Sequence, residues 1–191
     1  MLRLLLFLSI CLVGRGEENS LQKVDDDELD KLIKEEQYVV ALFCEETAVD
    51  TCEEYEGELS SIREDYIDMM QGDAWLVKLV NSKLINRYSP TPVSVGIVMF
   101  RSGLPVLYDG PANGEVMIDT FLRYKDPAVQ ELTDTTFEHL TQAASGATTG
   151  DWLVLFYTDE CELCTRLTAT LESVAAKHKG RINVARVNKQ T

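Results

Sequence analysis

Basic residues and histidines are scarce in this chain of 191 residues, and each shortage excludes a class of function. Lys and Arg number 18 against 32 Asp and Glu, so the formal net charge is −14. Because the phosphates of nucleic acids attract positive charge, we expect no nucleic-acid partner. The two histidines, His139 and His178, lie in polar helical patterns, and no set of Cys and His residues has the spacing of zinc ligands. We therefore expect neither a metal site nor a cofactor.

Apolar runs long enough to span a bilayer are missing as well. The apolar run at residues 4–13 follows Arg3 and is followed by Gly14, Arg15 and Gly16. This arrangement is typical of a secretory signal peptide, and it predicts cleavage after Gly16. The alternative, a signal anchor that stays in the membrane, needs a longer apolar core. We therefore expect residues 1–16 to direct the protein to the endoplasmic reticulum lumen or out of the cell, and we expect any membrane anchor to lie beyond residue 191.

The many acidic residues have two interpretations. Residues 1–16 contain two arginines and no acid, so their removal would change the net charge from −14 to −16. In one interpretation the carboxylates buffer calcium, and in the other they keep the surface soluble. No loop with regularly spaced oxygen ligands appears, which favours the solubilising surface.

Cysteine is the third scarce residue. Of the five cysteines, Cys11 belongs to the predicted signal peptide, and the others form two local pairs, Cys44 with Cys52 and Cys161 with Cys164. Two pairs are too few to build a disulfide scaffold of this length. A hydrophobic core must therefore supply most of the stability.

The second cysteine pair stands at a junction that is typical of redox sites. An apolar run at residues 152–157 leads through an acidic turn to Cys161, where a helical pattern begins. Unpaired N–H groups in the first turn of a helix stabilise a thiolate at Cys161. Cys164, one turn further in and more buried, can attack the mixed disulfide that Cys161 forms. A static disulfide and a metal half-site remain alternatives for this pair.

The periodicity of the chain predicts two rounds of alternating helices and strands. The first round has helices at residues 25–36, 52–70, 83–88 and 115–124 and strands at 38–43, 74–80, 93–100 and 104–108. After Asp126 and Pro127, the second round has helices at residues 133–143 and 164–177 and strands at 152–157 and 181–187. The two rounds form an internal repeat and predict an α/β fold with a mixed sheet flanked by helices.

Short motifs in both rounds match one family. The second round has a strand that ends in Phe156 and Tyr157, followed by a turn and the CxxC, and the first has a late hairpin with Phe100, Gly103 and Tyr108. The chain thus resembles tandem thioredoxin-like domains of the protein disulfide isomerase superfamily. The resemblance implies a complete thioredoxin-like domain at residues 24–125 and the N-terminal half of a second at residues 127–191. Because the second lacks a hairpin and a closing helix, we expect it to be only marginally stable.

The first domain departs from the family at its active site. Counting back from Cys52 places Val49 in the position of the nucleophilic cysteine, and valine cannot ionise. We therefore expect no thiol exchange from residues 24–125. Cys44 and Cys52 have two alternatives, a disulfide or two free and partly buried thiols.

The second domain keeps both cysteines but changes their neighbours. Glu160 replaces the family's Trp before the first cysteine, Glu162 and Leu163 replace the Gly-His between the cysteines, and Leu155 replaces a buried acid. Carboxylates on both sides of Cys161 oppose its ionisation, which makes the pair a weaker oxidant than a typical isomerase site.

The resemblance implies thiol–disulfide exchange on cysteine-containing client proteins. Cys161 would be the nucleophile and Cys164 the resolving thiol, and the two would form a disulfide in the oxidised protein. The alternative is a non-catalytic thioredoxin-fold module that binds clients or buffers calcium.

Overall fold

The computed structural model describes residues 20–146 and 149–189, so the predicted signal peptide at residues 1–16 lies outside the described residues. The helices are α1 (Asp26–Glu35), α2 (Val49–Ser61), α3 (Arg63–Met69), α4 (Gly114–Tyr124), α5 (Asp134–Thr141) and α6 (Glu162–Lys177). The strands are β1 (Gln22–Lys23), β2 (Tyr38–Cys44), β3 (Ala74–Val80), β4 (Val95–Arg101), β5 (Leu104–Tyr108), β6 (Gln130–Leu132), β7 (Trp152–Tyr157) and β8 (Asn183–Asn188). A 3-10 helix spans Lys83–Arg87.

The first sheet contains five strands in the order β1-β3-β2-β4-β5. β1 and β2 run parallel to β3, whereas β4 runs antiparallel to β2 and β5 runs antiparallel to β4. All seven residues of the central strand β2 are buried, as a continuous apolar run predicts. The structure therefore confirms the α/β fold with a mixed sheet flanked by helices.

The second sheet contains three parallel strands in the order β6-β8-β7. By the internal repeat β7 corresponds to β2, but β2 is paired on both sides and β7 is paired only with β8 among the described residues. The outer edge of β7 has no strand beside it in the described part of the chain. Leu153 and Phe156 accordingly remain 45% and 49% exposed.

The predicted helix at residues 52–70 is wrong in its bounds. The structure contains two helices there, α2 and α3, separated at Ile62, whose ψ of 0° leaves the helical range. α2 also begins three residues before Cys52, at Val49. The apolar spacing continues across the break because Leu59, Ile62 and Tyr66 are all buried against the same core. Periodicity alone therefore did not reveal the break.

None of the helices within residues 20–146 and 149–189 is both long enough and apolar enough to cross a bilayer.

The helix that carries the CxxC packs against the first sheet. α6 lies along the edge strand β5 and contacts α4 and the 3-10 helix, and its Ala176 belongs to the core cluster of the first half. The first half thus covers the inner face of α6, a contact that the expectation of marginal stability for the second half did not include. β7, in contrast, remains an edge strand within the described part of the chain.

Candidate functional site: the Cys161–Cys164 pair

Cys161 and Cys164 lie at the start of α6, where the acidic turn after β7 ends. Cys161 is the N-cap residue of α6, and its N–H donates to the Thr158 carbonyl at 3.1 Å, which fixes the turn. The Cys161 sulfur accepts the N–H of Cys164 at 3.1 Å. The two sulfurs form a disulfide, with the Cα atoms 5.2 Å apart. The helix terminus thus directs a hydrogen-bond donor at the Cys161 sulfur.

Solvent reaches both cysteines. We expected Cys161 to be exposed and Cys164 to be more buried, but both residues are partly exposed. Cys161 caps α6, and Cys164 lies in its first turn.

Charged side chains of both signs surround the pair. Glu160 and Glu162 are exposed on either side of Cys161, as the sequence places them. Arg166, one turn after Glu162, lines a cavity of about 300 Å³ together with Glu162, Thr165 and Arg87 of the 3-10 helix. The Glu162 carboxylate therefore shares a cavity with two cations.

A leucine in β7 and a leucine in β2 are each level with a cation on the neighbouring strand. Leu155 is level with Arg186 on β8, and Leu42 of the first half is level with Lys78 on β3. Each cation forms an ion pair with an acid on another element: Arg186 pairs with Glu131 on β6, and Lys78 pairs with Glu56 on α2.

Tyr157, at the end of β7, belongs to the same charged group. Its hydroxyl donates to Glu131 at 2.7 Å, and the Arg186 guanidinium lies 5.6 Å from the centre of its ring. Burial, together with the bond to the Glu131 carboxylate, raises the pKa of the Tyr157 hydroxyl. The tyrosine therefore stays neutral at physiological pH and acts as a donor.

The first half has a closed, buried cysteine pair where the second has an open one. Cys44 ends β2, Cys52 lies in the first turns of α2, and a disulfide joins them with the Cα atoms 5.8 Å apart. Both residues are at most 5% exposed. The N-cap of α2 is Ala48, and Val49 is the first helical residue, so Ala48 occupies the place that Cys161 has in α6. Like Val49, Ala48 has a side chain that cannot ionise.

Within the described ranges, no group of three or more His, Cys, Asp or Glu side chains is arranged to hold a metal ion. The backbone of those ranges contains no cis peptide bond.

Two residues that sequence reasoning missed fix α6 in place. Arg101, at the end of β4, and Glu172, in α6, form an ion pair whose side chains are 4% and 3% exposed. The sequence contained a signal for it: Ala169, Glu172, Ser173 and Ala176 follow helical spacing on one buried face. Two polar residues on an otherwise small and apolar face indicate polar partners on the opposing surface.

Comparisons with known proteins agree with the fold. No family model matches the chain. A thioredoxin domain-containing protein of Theileria parva is 47% identical over 57 residues, which covers 30% of this chain and 26% of that protein. The chain therefore spans about a quarter of that relative's length.

Among solved structures, full-length ERdj5 is 18% identical with a TM-score of 0.49, and covers 90% of this chain and 24% of its own. The zinc-bound form of human ERp44 is 12% identical with a TM-score of 0.48, and covers 88% of this chain and 48% of its own. The strand order of the first sheet and the match to the Theileria protein support a thioredoxin-like fold for this chain.

Proposed function

We propose that the protein is a thiol–disulfide oxidoreductase of the secretory pathway, which exchanges disulfides with cysteine-containing client proteins through Cys161 and Cys164. The observation that carries the proposal is the N–H of Cys164, which points at the Cys161 sulfur at the start of α6. The signal-peptide pattern at residues 1–16 supports delivery to the endoplasmic reticulum lumen or beyond.

The exchange runs through a mixed disulfide. In the reduced protein the Cys161 thiolate attacks one sulfur of a client disulfide, and the other client sulfur leaves as a thiolate. The Cys164 thiolate then attacks the Cys161 sulfur and releases the second client thiolate. The protein thereby loses two electrons to the client and forms the Cys161–Cys164 disulfide. Starting from that disulfide, a client dithiol reverses each step.

The first half contributes no second exchange site in this proposal. A buried Cys44–Cys52 disulfide, with Ala48 at the helix cap, offers no accessible sulfur to a client. We therefore assign residues 24–125 the role of a non-catalytic thioredoxin-like domain and residues 127–191 the exchange chemistry.

Trapping of clients tests the proposal. In Cys164→Ser, the mixed disulfide between Cys161 and a client has no resolving thiol, so client adducts should accumulate on non-reducing gels. Cys161→Ser should form none, and iodoacetamide should label Cys161 before Cys164 in the reduced wild type. The variant with both serines controls for background. Adducts that persist in Cys161→Ser would overturn the proposal and leave a binding module with a static cysteine pair.

A further inference from the structure

The first half of the chain holds the redox helix through several polar contacts. Arg101 pairs with Glu172 of α6, and Lys177 at the end of α6 pairs with Asp109 of the first half. The Tyr124 hydroxyl lies 2.7 Å from the Ser173 hydroxyl. These contacts lie along the second half of α6 and fix its direction, so they also fix what its first turn faces.

The first turn of α6 faces the 3-10 helix of the first half. Between them lies the cavity of about 300 Å³ that is lined by Arg87, Glu162, Thr165 and Arg166. Glu162, which lines the cavity, directly follows Cys161 in the chain, so the cavity lies beside the exchange pair. Neither cysteine lines it, so a ligand bound there would be held next to the pair.

The cavity is cationic in an acidic protein. Two guanidinium groups and one carboxylate line it, whereas the whole chain has a net charge of −14. Within residues 20–146 and 149–189, neither Arg87 nor Arg166 forms an ion pair within 4.0 Å, although Glu162 lies one helical turn before Arg166. Both guanidinium groups thus keep donors available, and the planar fork of a guanidinium binds a carboxylate through two parallel hydrogen bonds.

We propose that Arg87 and Arg166 form a carboxylate-binding cleft that selects substrates for the exchange pair. This inference rests on the proposed exchange function and adds its substrate class: disulfides and thiols that have a carboxylate a few bonds from the sulfur. One wall of the cleft comes from each half of the chain. The non-catalytic first half therefore supplies a specificity residue to a site whose chemistry belongs to the second.

The test compares how fast the reduced protein reacts with disulfides of different charge. Glutathione disulfide is anionic, cystamine is cationic, and dithiodipyridine is neutral. For each variant the rate with glutathione disulfide is divided by the rate with dithiodipyridine. Arg87→Gln and Arg166→Gln should each lower this ratio about twofold to fivefold, the range expected for one exposed charge pair. The ratio for cystamine should rise.

A matched control separates the cleft from net charge. Arg181→Gln removes the same charge beyond the far end of α6, about 24 Å from its start for a helix of 16 residues, and should leave both ratios unchanged. Arg87→Lys keeps the charge and should restore part of the ratio. Ratios that are equal in wild type, Arg87→Gln and Arg166→Gln, both for glutathione disulfide and for an acidic peptide disulfide, would overturn the inference, as would equal losses with every disulfide tested.

Two further measurements identify the source of the carboxylate and separate failure of the cleft inference from failure of the proposed exchange function. If the arginine changes slow the reaction with an acidic peptide disulfide but not with glutathione disulfide, the ligand is a segment of a client. If they slow the reaction with glutathione disulfide but not with the peptide, the ligand is the small disulfide. Failure of the proposed function has a different signature, because the wild type would then not react with dithiodipyridine faster than Cys161→Ser does.

Discussion

Arg101 and Glu172, which lie 71 positions apart in the chain, form a buried ion pair that joins the first sheet to the redox helix. Arg101 also donates to the Tyr124 carbonyl and, at 2.9 Å, to the Asp126 carbonyl, while Glu172 also accepts the N–H of Ala128 at 3.2 Å. One arginine therefore holds the end of α4, the connection to the second half, and α6. The position of the exchange pair depends on residues outside its own sheet.

Loss of one partner of this pair should be costly. Glu172→Ala leaves the Arg101 guanidinium buried without its carboxylate, and we expect the free energy of unfolding to fall by about 3 kcal/mol or more. Urea denaturation followed by fluorescence measures this change.

The matched control is an ion pair on the surface. Lys31 and Glu35 of α1 are 71% and 59% exposed, so Glu35→Ala should change stability by less than about 1 kcal/mol. A double change, Arg101→Met with Glu172→Met, should cost less than the two single changes together, because no charge is left alone. A loss below about 1 kcal/mol for Glu172→Ala would contradict the assigned role.

The longer strands and the position of the CxxC could be predicted because both depend on local patterns. The apolar run of β2, the hairpin of β4 and β5, and the CxxC after β7 are each read within a few residues. The structure places all of them in the expected elements. Strands β1 and β6 were missed because two or three residues contain no periodicity.

Helical spacing indicates a polar partner for the buried face of α6, but it does not show which residue is that partner. Glu172 is an ordinary helix former in a sequence with 32 acids, and Arg101 precedes a turn, where arginine is unremarkable. Their pairing is a contact between distant residues, and a single sequence does not show which acid meets which cation. The arginines of the cavity were missed for the same reason, since Arg87 and Arg166 come from different halves of the chain.

Amide hydrogen exchange should be slow in α6 and fast in β7, although both belong to the second half of the chain. The buried face of α6, with Ala169 and Ala176, packs on the first half and should be protected, whereas β7 should exchange at least about tenfold faster than β2. The reason is that β2 is hydrogen-bonded on both sides and β7 on one. Hydrogen exchange with mass spectrometry resolves both segments, and Glu172→Ala should abolish the protection of α6. Equal exchange in β2 and β7 would contradict the open edge.

The two disulfides should differ in how fast they are reduced. Attack by dithiothreitol requires access to a sulfur, and Cys44 and Cys52 are 5% and 4% exposed, whereas Cys161 and Cys164 are partly open to solvent. We expect Cys161–Cys164 to be reduced at least about tenfold faster. Timed quenching with iodoacetamide and peptide mass analysis measures both rates. In urea the two rates should converge, and similar rates in the native protein would show that Cys44–Cys52 is accessible.

Stability should fall at alkaline pH because of buried tyrosines. Burial, with smaller contributions from Tyr55, Tyr124 and Asp109, raises the pKa of the Tyr108 hydroxyl from about 10 to about 12. Below pH 10 the group is neutral in both the folded and unfolded states and does not affect stability. Between pH 10 and 12 it ionises in the unfolded chain but not in the folded one, so the free energy of unfolding decreases.

Tyr108→Phe tests this assignment. The variant should be less stable than the wild type at pH 8, since it loses the bond from the Tyr108 hydroxyl to the Pro111 carbonyl at 2.7 Å. Its stability should then fall less steeply between pH 10 and 12. Urea titrations at each pH measure the slope, and parallel curves for the two proteins would refute the assignment.

Glu162 should oppose the two arginines of the cleft. Its carboxylate lines the same cavity and repels the carboxylate of a substrate, so Glu162→Gln should raise the rate with glutathione disulfide relative to dithiodipyridine, in the opposite direction to Arg87→Gln. We expect about a twofold to fivefold rise at low ionic strength, which should shrink in 0.5 M salt because the groups are exposed.

Glu160→Gln is the control for effects on the thiol itself. Glu160 is next to Cys161 but does not line the cavity, so its removal should speed reaction with both disulfides alike and leave the ratio unchanged. A ratio that rises as much in Glu160→Gln as in Glu162→Gln would show that charge near the sulfur, rather than the cleft, discriminates between substrates.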